Sequence, residues 1–161
     1  MLLRNLQPED LSEIIAIESD NFDPSEKIED DSFYYYATKL PESCLVLEEN
    51  HQVAAYLIAV PSDRDTVADA IFLDPASLHG QDRYLSIASL SVAEGFKGQG
   101  LATLLLAGLK EIAVAQSYQG IALTCHDYLL SFYERHGFED RGLSASTFGG
   151  QEWYDMYWPA P

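Results

Sequence analysis

Two kinds of hydrophobic pattern alternate along the chain. Short runs rich in apolar and β-branched residues are typical of strands, and they occupy residues 1–6, 44–48, 53–60, 84–92, 120–125, 138–147 and 152–158. Segments whose apolar residues recur every three or four positions predict helices, which we place at residues 8–22, 29–40, 100–116 and 128–135. The predicted order is β-α-α-β-β-β-α-β-α-β-β, which indicates the α/β class.

Turn-forming residues separate these elements. Residues 49–52 join two apolar runs in a hairpin pattern, and Pro41 stops the second predicted helix. The most loop-like stretch, residues 62–81, contains Pro75, Gly80 and four aspartates, and long connections of this kind often border functional sites. No repeat, low-complexity segment or linker interrupts the chain, so we expect one domain spanning residues 1–161.

Length and charge restrict the function classes. A chain of 161 residues that is 47% apolar can bury a substantial core within one domain. Its 26 acidic and 9 basic residues give a formal net charge of −17, which argues against nucleic acid and anionic membrane surfaces as partners. This charge either favours a basic acceptor or serves only solubility.

Targeting and cysteine patterns point to the cytoplasm. The longest uncharged apolar run, residues 101–109, is far shorter than the roughly 20 residues that span a bilayer, and the N-terminus lacks a signal-like segment. Cys44 and Cys125 have no metal-ligand spacing, so we expect both to be reduced and expect no metal site.

A glycine-containing segment follows the fourth predicted strand and precedes an apolar helix: Lys97-Gly98-Gln99-Gly100-Leu101-Ala102. Its glycines let backbone N–H groups approach a ligand, and the unpaired N–H groups of a helix N-terminus favour an anion such as phosphate. Residues 95–110 carry two lysines and no acid. The alternative is an ordinary glycine turn, and neither a three-glycine dinucleotide fingerprint nor a P-loop is present.

This segment resembles the pyrophosphate-binding loop of the GNAT superfamily of acyl-CoA-dependent N-acyltransferases, with Lys97 where arginine or glutamine is usual. A downstream segment resembles the other motif of that family, which ends in aromatic-Tyr-Glu-basic-x-Gly-Phe: Phe132-Tyr133-Glu134-Arg135-His136-Gly137-Phe138. The predicted element order is also that of the GNAT fold, whose mixed central sheet has about seven strands. The resemblance covers nearly all of the chain.

Within the superfamily, the chain looks most like the arylalkylamine (serotonin-type) N-acetyltransferase branch. The similar segments are Leu90-Ser91-Val92, Cys125-His126-Asp127 and residues 149–156. In that branch the fourth strand carries two histidines proposed to relay the amine proton, and Ser86 and Ala88 stand at those positions here. None of the four histidines lies on the predicted fourth strand, so the resemblance does not supply a base.

The resemblance implies direct attack of an amine on the thioester carbon of acetyl-CoA. Tyr133 matches the tyrosine that protonates the departing sulfur; without the family it would be a core residue. We assign Ser86 to hold the water that accepts the amine proton, aided by Tyr84 or by an acid within residues 20–31. The alternative is that Ser86 is only a small strand residue. The acetyl-CoA-binding residues implied by the resemblance are Leu90, Ser91, Val92, Lys97, Gly98, Gln99, Gly100, Leu101, Ala102 and Thr103.

The first two helices build much of the acceptor pocket in this family. Residues 18–36 contain seven acids, one lysine and the run Phe33-Tyr34-Tyr35-Tyr36, which suits a small cationic or aromatic amine, or is a solvated acidic loop before an ordinary helix. We therefore expect an N-acetyltransferase, monomeric or homodimeric. The alternatives are a CoA-binding or partner-binding module without turnover and an acetyltransferase for peptide N-terminal amines.

Overall fold

A seven-stranded sheet runs through the computed structural model, which describes residues 1–78 and 82–161. The strands follow the chain as β1 (Leu2–Asn5), β2 (Cys44–Glu49), β3 (Gln52–Ser62), β4 (Tyr84–Val92), β5 (Gly120–Cys125), β6 (Glu139–Leu143) and β7 (Tyr154–Pro159). Their order in the sheet is β1-β2-β3-β4-β5-β7-β6. All neighbours are antiparallel except β4 and β5, so the sheet is mixed as predicted.

In the described part of the chain, five α-helices pack on the two faces of the sheet. They are α1 (Leu11–Asn21), α2 (Asp30–Lys39), α3 (Ala70–Leu73), α4 (Leu101–Ala115) and α5 (Leu130–Arg135). Apolar residues of α1, α2 and α3 form a core on one face. Residues of α4 and α5 form a second core on the other face, so the sheet is buried on both sides.

The predicted order is confirmed, with one added element. The additional helix, α3, lies in the stretch predicted to be a loop, residues 62–81, and its Ile71 and Phe72 are buried. A single turn of four residues is too short for a periodic hydrophobic pattern to show. Three residues of that stretch, His79, Gly80 and Gln81, lie outside the described residues.

The pairing of β4 creates an opening in the middle of the sheet. This strand pairs with β3 along its whole length, but with β5 only through Tyr84, Leu85 and Ser86. An irregularity in the β3–β4 register leaves Ala88 as an extra residue on β4, which is a β-bulge. Bulges bend a strand and increase its twist, so β4 departs from β5 directly after the paired segment.

The helix α4 begins beside this opening. Because β4, α4 and β5 form a parallel crossover unit, the N-terminus of α4 follows the end of β4 that has separated from β5. An uncapped helix terminus and an unpaired strand edge therefore lie close together.

Candidate active site

A cleft of about 160 Å³ lies where β4 and β5 separate. Residues 87–90 of β4 form one wall and residues 123–126 of β5 and its following turn form the other. The cleft is also lined by two acids, Glu18 and Glu26, and by the motif tyrosine, Tyr133. Backbone groups of β4 beyond Ser86 have no partner in β5, so they remain available to a ligand in the cleft.

The glycine segment forms an exposed turn at the start of α4. Gly98 and Gly100 have φ angles of 79° and 76°, a left-handed conformation that side chains with a Cβ rarely adopt. A Cβ atom at either position would meet nothing within 4 Å, so the space beside the backbone is open. Gly100 is the N-cap, no side chain caps the helix, and its first turn carries no acid. This combination suits an anion.

Asn21, the last residue of α1, holds this turn against the end of β4. Its amide nitrogen donates to the carbonyl oxygen of Val92 at 2.9 Å and to the hydroxyl of Ser91. Lys97 donates to the Asn21 side-chain oxygen at 2.9 Å and forms an ion pair with Glu94. The Lys97–Glu94 pair is solvent-exposed and therefore weak, so the ammonium group can exchange partners for an anionic ligand.

Tyr133 lies on α5 with its ring packed edge-to-face against Phe132 and Phe138. The side chain is 9% exposed, and burial raises the pKa of its phenol above the ordinary value. Among residues 1–78 and 82–161 its hydroxyl has no hydrogen-bond partner, although the residue lines the cleft. A neutral phenol without a partner can donate a hydrogen bond to a ligand atom there.

Glu18 brings a buried carboxylate to the same cleft. It lies on α1 and is 1% exposed. Tyr56 donates to its Oε1 at 2.5 Å, Ser89 donates to the same oxygen at 2.8 Å, and the backbone N–H of Ile28 donates to Oε2 at 3.0 Å. Burial raises the pKa of Glu18 above its usual range, and these hydrogen bonds oppose the rise.

Aromatic side chains form the rest of the cleft wall. The imidazole of His126 stacks on the indole of Trp153 and on the ring of Tyr128, with centroid separations of 4.4 and 5.4 Å. Its Nε2 lies 2.9 Å from Glu26 Oε1, and because a carboxylate only accepts, Nε2 carries the proton. Phe148 lines the cleft and stacks on Phe72. The cleft therefore offers flat apolar surfaces beside acidic groups.

The residues assigned to acetyl-CoA are divided between these features. Leu90 is in the cleft wall, while Ser91 and Val92 bind Asn21. Residues 97–100 and Thr103 are exposed at the start of α4. Leu101 is 4% exposed and belongs to the core on the α4 side, so it anchors the helix below the turn, and Ala102 is half-buried.

Several residues that the sequence predicts to hold the proton acceptor or to build the acceptor pocket lie outside the cleft. Ser86 is fully buried in the paired part of β4 and does not line the cleft, and its hydroxyl has no hydrogen-bond partner in the part of the chain that the structure describes. In the aromatic run of α2, Phe33 and Tyr36 are core residues, Tyr34 is exposed, and none of the four lines the cleft. Among residues 20–31, Glu26 is the acid that lines it.

Sequence reasoning included Glu18 among the acceptor-side acids but missed its distinct position. A signal was present: Leu11, Ile14, Ile15 and Glu18 share the spacing of one helical face, so Glu18 interrupts an apolar stripe. A charged residue on a buried stripe is rarely there for solubility. The contributions of Trp153 and Phe148 carried no comparable signal, because they depend on how the C-terminal segment returns to the cleft.

A larger cavity, about 580 Å³, lies between α4 and the β1–β2 edge. Its charged lining includes Glu42, Glu111 and Arg4, and Arg4 is already paired with Asp10 and Glu48. It lacks the unpaired strand edge, the uncapped helix terminus and Tyr133. The smaller cleft is therefore the candidate active site.

Several solved structures share the fold of this chain. The solved structures similar to this chain include the loading GNATL domain of CurA from Lyngbya majuscula, with a TM-score of 0.83, 15% identity and coverage of 99% of this chain and 97% of that chain. A GphF GNAT-like decarboxylase in complex with isobutyryl-CoA gives a TM-score of 0.83 at 15% identity, with 100% of both chains covered. Naa20 from Chaetomium thermophilum, in complex with a bisubstrate analogue, gives 0.73 at 22% identity, with 99% of this chain and 86% of that chain covered.

These identities are low enough that the structural likeness shows the fold alone. A search of curated proteins gave no significant match. The family model of the Acetyltransferase (GNAT) family matches residues 9–138, which include the β4 and β5 walls of the cleft, the glycine turn and the motif tyrosine. This chain therefore belongs to the GNAT family of acetyltransferases.

Proposed function

We propose that this protein is an N-acetyltransferase that moves the acetyl group of acetyl-CoA to a primary amine by direct attack. The observation that carries the proposal is the cleft opened by the separation of β4 from β5. The cleft joins unpaired backbone groups, the motif tyrosine and a neighbouring anion-binding turn. Acetyl transfer requires donors that stabilise the oxyanion, an acid that protonates the departing sulfur and a site that binds the pyrophosphate, and these three features supply them in turn.

The pyrophosphate of acetyl-CoA binds at residues 97–103 in this proposal. Gly98 and Gly100 leave the backbone accessible, Lys97 supplies a cation, and Thr103 supplies an exposed hydroxyl. The pantetheine chain then extends along the free edge of residues 90–92, where it takes the place of a neighbouring strand. This arrangement directs the thioester into the cleft.

The chemical step needs no covalent enzyme intermediate. The amine nitrogen attacks the thioester carbon, the C–N bond forms, and backbone N–H groups of β4 stabilise the oxyanion. The C–S bond then breaks, and Tyr133 gives its phenolic proton to the departing sulfur. The proton that leaves the attacking nitrogen after C–N bond formation reaches solvent, from which the phenol is restored.

The acceptor is a small amine that is cationic, aromatic or both. Support comes from the acids Glu18 and Glu26 and from the flat faces of His126, Trp153 and Phe148 around one cleft. This lining agrees with the arylalkylamine (serotonin-type) branch, which remains part of the proposal. Structural neighbours differ in their acceptors: one is a ribosomal-protein-alanine N-acetyltransferase and another a diaminobutyrate acetyltransferase. A peptide N-terminal amine is therefore the alternative acceptor.

Two further readings are less favoured. Decarboxylation, the activity named for the GphF neighbour, requires an anionic acyl group beside the carboxylate of Glu18, and like charges in a buried cleft repel. A CoA-binding module without turnover has no need of a buried, unpartnered phenol at the cleft. We further propose that the protein is a single cytoplasmic domain, monomeric or homodimeric, that binds no nucleic acid, membrane or metal.

Thiol release from acetyl-CoA across a panel of amines tests the proposal. The panel contains small aliphatic diamines, arylalkylamines and short peptides with free N-termini, and CoA-dependent thermal stabilisation is measured in parallel. Release that depends on a small amine supports the proposal. Stabilisation by CoA without release for any amine would show a binding module, and release only with peptides would move the acceptor to the peptide class.

A further inference from the structure

We infer that Glu18 is the proton acceptor for the substrate amine and that the cleft binds this amine as an ammonium ion. The inference rests on the proposed acetyl transfer and deepens it, because it names both the missing base and the charge state of the acceptor. Its basis is the position of a buried, incompletely partnered carboxylate in the cleft that also contains Tyr133.

The hydrogen bonds of Glu18 leave one place open. A carboxylate has about four lone-pair sites, two on each oxygen. On Oε1 both are taken, by the hydroxyls of Tyr56 and Ser89. Within residues 1–78 and 82–161, the one donor to Oε2 is the backbone N–H of Ile28, so this oxygen can accept one more proton donor.

The charge of Glu18 is also unbalanced. Within residues 1–78 and 82–161, no lysine, arginine or histidine nitrogen lies within 4.0 Å of its carboxylate. A buried charge without a counter-ion is costly, and an ammonium group entering the cleft removes that cost. Glu18 therefore selects a cationic acceptor over a neutral or anionic one of the same shape.

The same contact starts the reaction. One ammonium proton moves to Glu18 Oε2, and the N–H bonding pair becomes the lone pair that attacks the thioester carbon. The second nitrogen proton leaves to solvent after the C–N bond has formed. The sulfur takes its proton from Tyr133 as the C–S bond breaks, and the phenol is restored from solvent. Glu18 then releases its proton to solvent, so one ammonium ion and one thioester give one amide, one thiol and one proton.

Groups on several elements face this carboxylate and set its titration. Tyr56 of β3 and Ser89 of β4 donate to it, Tyr36 of α2 lies near it, and Lys27 acts on it through space. The other titratable groups lining the cleft are Glu26, His126, Cys125, Tyr128 and Tyr133. Burial is the largest influence and raises the pKa of Glu18, which brings the group closer to neutral pH, where a base is effective.

The pH dependence of the wild-type enzyme tests the inference with two amines whose pKa values differ. If Glu18 accepts the proton, kcat/KM rises through the pKa of Glu18 and then stays flat up to the pKa of the amine. The rising limb has the same midpoint for both amines, because it belongs to the enzyme. A rate that rises tenfold per pH unit up to the pKa of each amine means that only the neutral amine binds, and this overturns the inference.

The variant Glu18→Gln gives the second test, with Asp20→Asn as its matched control. Asp20 lies on the same helix, is exposed, and loses the same charge. We expect Glu18→Gln to lower kcat/KM at pH 7 by about 10²- to 10⁴-fold and this loss to shrink as the pH approaches the pKa of the amine. We expect Asp20→Asn to change it by less than about twofold.

Binding separates a chemical role from a structural one. Calorimetry with CoA should give dissociation constants within a few-fold for wild type and Glu18→Gln. Retained activity, or a loss that is equal at every pH, overturns the inference while leaving acetyl transfer in place. If wild type releases no thiol with any amine, acetyl transfer and the inference fall together. If Glu18→Gln does not fold, the two wild-type pH profiles decide alone.

Discussion

Ser89 and Glu18 lie 71 positions apart in the chain, and the Ser89 hydroxyl donates a hydrogen bond of 2.8 Å to Glu18 Oε1. The bulge at Ala88 makes this contact possible. Side chains alternate between the faces of a strand, and one inserted residue reverses the alternation beyond it. Leu85 and Ile87 pack on the α4 side, whereas Ser89 contacts α1. The irregularity that opens the cleft thus also orients a group toward its carboxylate.

This contact gives a prediction for Ser89→Ala. The hydroxyl stabilises the charged form of Glu18, so its removal raises the pKa of Glu18 further. The rising limb of kcat/KM should move to higher pH, while the plateau changes by less than a few-fold. The measurement is a pH profile with one amine. If the midpoint of the rising limb of kcat/KM does not change, a group other than Glu18 titrates in that pH range.

Tyr133→Phe tests the general acid. The change keeps the ring between Phe132 and Phe138 and removes the only proton that the side chain can donate. Turnover should fall by about 10²- to 10⁴-fold while the dissociation constant of acetyl-CoA changes by less than a few-fold. Single-turnover kinetics measure the chemical step directly. Wild-type turnover in the variant would return Tyr133 to a purely structural role.

Gly100→Val tests the pyrophosphate turn, with Gly95→Val as the control. Gly95 precedes the same helix, has ordinary φ and open space around its Cβ position, so valine there should change little. At Gly100 the left-handed φ of 76° costs a valine about 1–3 kcal/mol of stability. Loss of one N–H contact to phosphate should also weaken CoA binding by about ten- to a hundredfold.

A further variant separates strain from obstruction at this position. Asparagine tolerates a left-handed conformation, so Gly100→Asn should retain most of the stability but still place a side chain in the open space beside the turn. Isothermal calorimetry and thermal unfolding are measured on the same samples. An unchanged dissociation constant in both Gly100 variants would remove the turn from CoA binding.

Trp153→Ala tests the aromatic wall of the acceptor site. The indole stacks on His126, and its N–H donates to the carbonyl oxygen of Phe148 at 2.8 Å. We expect KM for an arylalkylamine to rise by about two- to tenfold and KM for acetyl-CoA to stay constant. Trp153→Phe should recover part of the loss, because it keeps a flat face. Equal effects on both substrates would indicate a general disturbance of the cleft.

Burial of Glu18 also predicts how stability depends on pH. A carboxyl group whose pKa is higher in the folded than in the unfolded protein favours folding most when it is protonated. Its contribution to the free energy of unfolding is therefore fully present below the pKa of the unfolded state and is lost as the pH rises through the pKa of the folded state. The free energy of unfolding of wild type relative to Glu18→Gln should therefore decrease across that interval. Chemical denaturation of both proteins at several pH values measures the difference, in which the other acids cancel. A constant difference would contradict the raised pKa.

Hydrophobic periodicity and two motifs were sufficient to predict the strands, the major helices and their order. The strand at residues 120–125 agrees in both bounds with β5, and the strand predicted within residues 1–6 is confirmed by β1. These features depend on local pattern, which the chain carries in its own order of residues. The one-turn helix α3 was missed because four residues are too few for a period.

The sequence alone was sufficient to infer the family, the glycine turn and the position of Tyr133 in its motif, because each depends on residues that are neighbours in the chain. The site around them could not be inferred in this way. Ser86 was assigned to hold the water that accepts the amine proton, because it stands at a histidine position of the arylalkylamine branch. Position on the strand does not show that Ser86 falls in the paired segment while Ser89 lies beyond the bulge. Register between strands is a long-range property.

Sequence by itself thus determined the elements, their order and the chemistry available to them. Tertiary structure decided which of the many acids matters, because the burial of Glu18 depends on α1 packing over β3 and β4, and its partners Tyr56 and Ser89 come from both strands. It also brought Trp153 beside His126. A carboxylate on an apolar stripe becomes a candidate base only when packing removes water from it and leaves one oxygen able to accept another hydrogen bond.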